Sequence, residues 1–173
     1  MERLKLKIPE TNLFDSVFPY LHGHVFHVTK LRYLDSIIQC GEIRTNKEGN
    51  LETTFGSSSN SFFRNRGCVS LFDYRIIDPD IFEKHAYKCT PTKPASLENG
   101  IAVLFLSEGL HSKLISWKLW HEEKAYKEMV LPHFETGHPG SINIAGIKKI
   151  IEITVTEVPE SMYSSFHKAM KNG

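Results

Sequence analysis

Cysteine is scarce in this chain of 173 residues, and neither sign of charge is in excess. The three cysteines are an odd number and contain no Cys-x-x-Cys pair, which argues against a disulfide framework and against a cysteine-built zinc site. Lysine and arginine number 21 against 20 aspartate and glutamate, so the formal net charge is only +1. Binding to nucleic acid by bulk charge alone is therefore excluded, although a local basic patch is not.

Long apolar runs are also missing. The longest, such as residues 101–106, are far below the roughly 20 residues that a membrane-spanning helix requires. Residues 1–7 alternate charged and apolar side chains, unlike a secretory signal, and neither end carries a lipidation motif. We therefore expect a soluble, cytoplasmic protein without a membrane partner. An apolar content of 40% excludes a mainly disordered chain.

The apolar pattern predicts a single α+β domain over residues 1–173. Short apolar or alternating runs predict strands at residues 4–8, 24–28, 68–74, 101–106, 127–131 and 147–155. Helical periodicity predicts one helix from Thr29 as N-cap to Gly41 as C-cap. Further helical segments are expected at residues 78–84, 107–123 and 159–171, and surface loops at residues 49–65 and 132–141.

Motifs of several enzyme classes are absent from the sequence. It contains no Gly-x-Gly-x-x-Gly, no P-loop lysine, no Gly-x-Ser-x-Gly elbow and no His-Glu-x-x-His. His22, His24 and His27 are close enough in sequence to suggest a metal, but on a strand His27 faces away from the other two. We therefore predict no metal site.

Four features carry candidate chemistry, in chain order. They are the Phe-His-Val-Thr end of a strand at residues 26–29, the pair Arg64 and Arg66, the following strand with Ser70, and Glu128 at the head of an apolar run. Arginine offers a planar fork of donors that matches phosphate. A carboxylate beside a sugar stabilises an oxocarbenium-like transition state and accepts a proton from an incoming group.

This order resembles the ADP-ribosyltransferase superfamily, and most closely the DarT-type enzymes that modify nucleic acid bases. In that family a [Tyr/Phe]-His-x-Thr strand leads into a Leu-x-x-Ile-Leu-x-x-Gly helix, and residues 26–29 and 34–41 fit this pattern. Residues 128–130 resemble the late glutamate strand, and residues 147–153 the final Ile-x-x-Ile-x-Val strand. The resemblance covers residues 26–155.

The resemblance implies an ADP-ribosyltransferase-like split β-sheet core with a few short helices. It implies NAD+ as substrate and no metal. Arg64 and Glu128 would be catalytic, and NAD+ would contact the residues His27, Thr29, Arg66, Ser70 and Tyr74. Which arginine acts, and whether Phe72 or Tyr74 supplies the aromatic site residue, stays open from the sequence.

The resemblance also bears on the acceptor. Members that modify protein arginine carry an acid or a glutamine two residues before the catalytic glutamate, and this chain has Tyr126 there. We therefore expect a macromolecular acceptor, with DNA or RNA favoured over protein, and a toxin or anti-phage defence role that an antitoxin partner could accompany. Three alternatives stay open: a tRNA 2′-phosphotransferase-like enzyme, an NAD+ glycohydrolase, and a non-catalytic nucleic-acid-binding module.

Overall fold

Nine strands form one seven-stranded sheet and a separate two-stranded ribbon over residues 1–56 and 58–158, which the computed structural model describes. The sheet has the order β1-β9-β5-β2-β4-β7-β6, and the ribbon pairs β3 with β8. The parallel pair is β1–β9, and the other named pairs are antiparallel. The strands are β1 Glu2–Pro9, β2 Val25–Lys30, β3 Glu42–Ile43, β4 Cys68–Asp73, β5 Ile101–Leu106, β6 Ile115–Ser116, β7 Glu135–Pro139, β8 Ile142–Asn143 and β9 Ile147–Thr156.

The helices are short and lie between the strands. They are α1 Leu13–Leu21, α2 Leu34–Cys40, α3 Phe62–Asn65, α4 Pro79–His85 and α5 Lys118–Glu122, with 3₁₀ turns at Leu31–Tyr33, Ala86–Lys88, Glu108–Lys113 and Ile144–Gly146. Local chemistry explains their ends. Asp78 caps α4 by accepting from the backbone N–H groups of Asp80 and Ile81, and α2 stops where Gly41 adopts a left-handed φ of 76°. The combination of short helices with a mostly antiparallel sheet confirms the predicted α+β class. In the described part of the chain, no helix combines the length and apolarity needed to span a bilayer.

Both faces of the sheet are covered, so its centre is a double core. All six residues of β5 are buried because one core packs on each side of this strand. On one face the rings of Phe26 and Phe72 stack with centroids 5.5 Å apart, and Phe105 lies 5.7 Å from Phe26. Aromatic burial of this kind supplies much of the apolar area that holds a small domain together.

The sheet splits between β2 and β4. These strands pair only at Val25 with Asp73 and at Phe26 with Phe72. Beyond Phe26, β2 continues against β5 as far as Lys30, whereas β4 continues against β7. A gap therefore opens between the C-terminal half of β2 and the N-terminal half of β4.

Several sequence predictions are confirmed and others are wrong. The expected strands at residues 4–8, 24–28, 68–74, 101–106 and 147–155 are present as β1, β2, β4, β5 and β9. Thr29 lies inside β2 rather than capping a helix, because backbone pairing with Ala102 extends that strand to Lys30. The final helix predicted at residues 159–171 lies outside the described residues.

The segments around residue 130 differ most from expectation. Residues 127–131 form no strand and make only a bridge between Met129 and Ser61. The predicted loop at residues 132–141 instead contains β7, which pairs with β4 and β6. Gly137 in β7 is not a turn residue: a Cβ there would lie 2.2 Å from the Phe63 ring, so the glycine permits close packing. The loop predicted at residues 49–65 ends in α3.

We expect Gly137→Ala to lower the free energy of unfolding by about 1–3 kcal/mol, because the added methyl overpacks against Phe63. Urea denaturation followed by circular dichroism measures this. Gly109→Ala is the control, since beyond the neighbouring backbone no atom of the described residues lies within 4 Å of the position that its added methyl group would take. Equal stability of the two variants would contradict the packing role of Gly137.

Candidate active site

A cavity of about 700 Å³ lies at the split of the sheet. Its wall includes five of the seven residues that the sequence singled out: His27, Thr29, Arg64, Ser70 and Glu128. These residues come from β2, β4, α3 and the segment after α5, so the fold brings together positions far apart in sequence. The volume falls within the range of about 300–1,000 Å³ that is typical of small-molecule sites.

His27 lies where β2 leaves β4, and its imidazole spans the gap. Nδ1 lies 3.1 Å from the backbone oxygen of Ser70. A carbonyl oxygen only accepts, so Nδ1 carries the proton and Nε2 is left as an acceptor. Burial lowers the pKa of His27, and the bond to Ser70 opposes this only in part, so the ring is neutral at pH 7. The ring can therefore accept a hydrogen bond from a hydroxyl group such as that of a ribose.

Arg64 is held at the cavity wall by neutral groups. Its Nε donates to the backbone oxygen of Asn46 at 2.7 Å, and Nη1 donates to Ser58 Oγ at 3.0 Å. Gly49, with a φ of 75°, leaves room for the guanidinium, since a Cβ there would lie 2.5 Å from Nη2. No carboxylate pairs with Arg64 anywhere in residues 1–56 and 58–158. Its charge is therefore available to an anionic ligand.

Arg66 has a different environment and is not part of the cavity wall. Its Nη1 donates to Glu128 Oε2 at 2.8 Å, and Nη2 donates to Glu123. Its guanidinium also lies over the Phe62 ring, 3.6 Å from the centroid. The structure thus separates the two arginines: Arg64 faces the cavity, and Arg66 positions a carboxylate.

Glu128 reaches the cavity from an irregular segment rather than from the expected strand. Met129, its neighbour, donates its backbone N–H to the Asn60 oxygen at 2.7 Å and accepts from the Phe62 N–H at 3.0 Å. These bonds hold the segment against the start of α3. Asn65 Nδ2 is a second donor to Glu128 Oε2, at 3.3 Å. The carboxylate is therefore fixed by groups from α3 and its C-terminal end.

In the described part of the chain, the cavity wall has more unpaired cations than unpaired acids. Its four cations have no ion-pair partner there; they are Arg44, Arg64, Lys88 and Lys93. Of the wall's four acids, Glu128 is paired with Arg66 and Glu52 with both Lys30 and Arg32. Glu42 and Glu135 have no ion-pair partner among the described residues and offset part of the positive charge. Such an imbalance favours an anionic ligand, and phosphate groups suit the arginines.

Glu135 is a cavity residue that the sequence reasoning missed. It lies in β7, opposite Phe72 of β4, and its Oε2 accepts from the Leu131 backbone N–H at 2.7 Å. Burial raises its pKa to about 7, while hydrogen bonds from Leu131 and Ser70 oppose that shift. The sequence did not point to Glu135, because the glycines and prolines around it are typical of a loop rather than of a strand.

Tyr74 is not brought to the cavity. It is fully buried in the aromatic core, with its ring 5.2 Å from Phe26 and 5.8 Å from both Phe82 and Phe134. Its hydroxyl has no hydrogen-bond partner among the described residues, and burial raises its pKa. Phe72, the other candidate, does line the cavity.

Comparison with known proteins adds no relative: no protein-family model, curated protein or solved structure matches the chain. Across residues 1–56 and 58–158, no three His, Cys, Asp or Glu side chains are grouped so that they could hold a metal ion. The geometry of the cavity is therefore the feature of this chain that bears on its function.

We expect Tyr74→Phe to raise the free energy of unfolding by about 1 kcal/mol, because it removes a buried hydroxyl that lacks a partner. Thermal and urea unfolding measure the change. The same substitution at the exposed Tyr87 serves as control and is expected to have no effect. A less stable Tyr74→Phe protein would mean that the hydroxyl makes a favourable contact.

Glu135 should make stability depend on pH. Its folded-state pKa of about 7 lies above the ordinary glutamate value of 4.5. The protonated carboxyl group therefore stabilises the folded state fully below pH 4.5, and this stabilisation is lost as the pH rises to about 7. Glu135→Gln should remove this loss, so the variant should gain up to about 3 kcal/mol over the wild type between these pH values. Urea unfolding across the pH range measures it, with the exposed Glu98→Gln as control. Parallel wild-type and Glu135→Gln curves would contradict the assignment.

Proposed function

We propose that this chain is an NAD+-dependent mono-ADP-ribosyltransferase that modifies a macromolecule, with a nucleic acid base favoured over protein. The observation that carries the proposal is the shared cavity of His27, Arg64 and Glu128 at the split of the sheet. An imidazole acceptor, a fixed carboxylate and a guanidinium that pairs with no carboxylate of the described residues meet there from three separate segments. The split sheet is also the feature expected of an ADP-ribosyltransferase-like core.

Each group has a role that its surroundings support. Arg64 binds the pyrophosphate of NAD+, because its charge has no carboxylate partner within the described residues and Nη2 makes no hydrogen bond to them. His27 Nε2 accepts a hydrogen bond from a ribose hydroxyl. Thr29 is buried in the wall on the same face of β2 and contacts the same end of the ligand. Phe72, rather than Tyr74, supplies the aromatic contact.

Glu128 stabilises the positive charge that develops at the ribose C1′ as the nicotinamide leaves. Arg66 and Asn65 hold one of its oxygens, so the carboxylate is oriented before the ligand binds. Arg66 is therefore a positioning residue rather than a contact of NAD+. The leaving nicotinamide is neutral, so bond cleavage itself needs no proton donor.

The rim of the cavity supports a nucleic acid acceptor. Phe55 and Met129 line the cavity and are 39% and 55% exposed. Tyr126, which is 56% exposed, precedes Met129 by three residues and packs edge-on against Trp120. Exposed aromatic side chains stack on unpaired bases, and Lys88 and Lys93 are suited to backbone phosphates. The proposal includes a toxin or defence role, which an antitoxin partner could accompany.

Labelled NAD+ tests the proposal directly, with single-stranded DNA, RNA and lysate protein as acceptors. We expect label transfer to nucleic acid, and Glu128→Gln to lower its rate by about 10²-fold or more with NAD+ affinity unchanged. Arg64→Ala should weaken NAD+ binding by about 10- to 100-fold, because hydrogen bonds to charged groups contribute about 1.5–3 kcal/mol. Arg3→Ala, on the far edge strand, is the matched control.

Other outcomes would identify the alternatives. Free ADP-ribose formed without an acceptor would indicate a glycohydrolase. Nicotinamide release that requires a 2′-phosphorylated RNA would indicate a phosphotransferase. Salt-sensitive nucleic acid binding without NAD+ affinity would indicate a binding module and would overturn the proposal.

A further inference from the structure

The cavity holds two carboxylates in contrasting environments. Glu128 Oε2 already accepts from Arg66 and from Asn65. Glu135, on β7, has only neutral partners, which are the Leu131 backbone N–H and the Ser70 hydroxyl. Within the described residues no cation lies within ion-pair distance of Glu135. One carboxylate is therefore held by a cation, and the other is free of one.

The surroundings of Glu135 keep both of its protonation states accessible. Among the described residues, Cys89 is a titratable group that interacts with it and follows the 3₁₀ turn Ala86–Lys88, while Lys88 and Lys93 line the cavity without pairing to Glu135. Leu131 and Phe72 form apolar wall beside it. This burial places the pKa of Glu135 at about 7, so a carboxylate and a carboxylic acid coexist at neutral pH. A general base, which takes up and releases a proton in each turnover, is most effective when its pKa lies near the working pH.

Ser70 connects Glu135 to the far side of the split. Its hydroxyl lies near enough to Glu135 to lower the pKa of that carboxyl group, and its backbone oxygen accepts from His27 Nδ1. The carboxyl group is thus placed relative to the imidazole that is proposed to hold the ribose. Ser70 acts as a positioning residue between them.

Transfer to a nucleophile releases one proton that some group must accept. The C1′–nicotinamide bond breaks and its electron pair leaves with nicotinamide. The nucleophile, an N–H or O–H of the acceptor, forms the new bond to C1′ and becomes neutral again only by losing its hydrogen as a proton. The balance needs a base and no oxidant, reductant or metal.

We infer that the two carboxylates divide this work, with Glu128 facing the ribose and Glu135 taking the proton from the acceptor nucleophile. This inference rests on the proposed transferase function. It makes Glu135 a catalytic residue for transfer and leaves it without a role in holding NAD+. The proton then passes from Glu135 to water as the product leaves.

The test compares Glu135→Gln with Glu128→Gln across about pH 5.5 to 9. In the wild type, kcat/KM for transfer should rise about tenfold per pH unit up to about pH 7 and then level off. Glu135→Gln should lower transfer by about 10²-fold and abolish this rise, with NAD+ affinity by calorimetry unchanged. Glu128→Gln should transfer ADP-ribose slowly, and its kcat/KM should still rise with pH as in the wild type. Glu98→Gln, at an exposed position away from the cavity, should behave as the wild type.

Two further outcomes separate the inference from the function on which it rests. A wild type that transfers ADP-ribose, together with a Glu135→Gln variant of equal rate and identical pH profile, overturns the inference alone. A wild type that releases no nicotinamide at any pH with any acceptor overturns the proposed function and the inference with it. Ser70→Ala provides an independent variant: loss of the hydroxyl that lowers the pKa of Glu135 should move the midpoint of the pH profile upward, and an unchanged midpoint would contradict the role of Ser70 beside Glu135.

Discussion

The constraint on which the rest of the structure depends is the early end of pairing between β2 and β4. Two strands that stay paired would present a continuous sheet, with no space between His27 and Ser70. Because pairing stops at Phe26 and Phe72, side chains that point to opposite faces of the sheet line one cavity. His27 and Glu135 belong to opposite faces by strand alternation, yet both reach this space.

The four-residue helix α3 organises most of the candidate chemistry. Phe62 and Phe63 are fully buried and anchor it. Arg64 faces the cavity, while the guanidinium of Arg66 lies on the Phe62 ring and holds Glu128. Packing of Phe63 against Gly137 links the same helix to β7, the strand that carries Glu135. Burial of two aromatic rings thus fixes the relative positions of a guanidinium and two carboxylates.

Sequence reasoning found the strands with clear apolar alternation, because that pattern directly reflects a half-buried or buried surface. It missed β7, since Gly137 is there for a contact with Phe63 that only the tertiary structure creates. It brought Arg64 and Glu128 to one cavity but could not separate Arg64 from Arg66, because the acids that neutralise Arg66 lie about 60 residues away in sequence. Phe72 and Tyr74 share a strand face, so alternation predicts the same side of the sheet for both. It does not predict which ring lines the cavity and which is buried in the core.

The close approach of Gly49 to Arg64 limits how far the surrounding loop can vary. Most of residues 49–56 are exposed or partly exposed, and such positions ordinarily accept many side chains. At position 49, however, even a methyl group would reach the guanidinium, and the left-handed backbone is unfavourable for other residues. A substitution at this glycine would push the Arg64 guanidinium away from its contacts with Asn46 and Ser58 without changing Arg64 itself, so the presence of an arginine at position 64 would not by itself indicate an intact cavity wall.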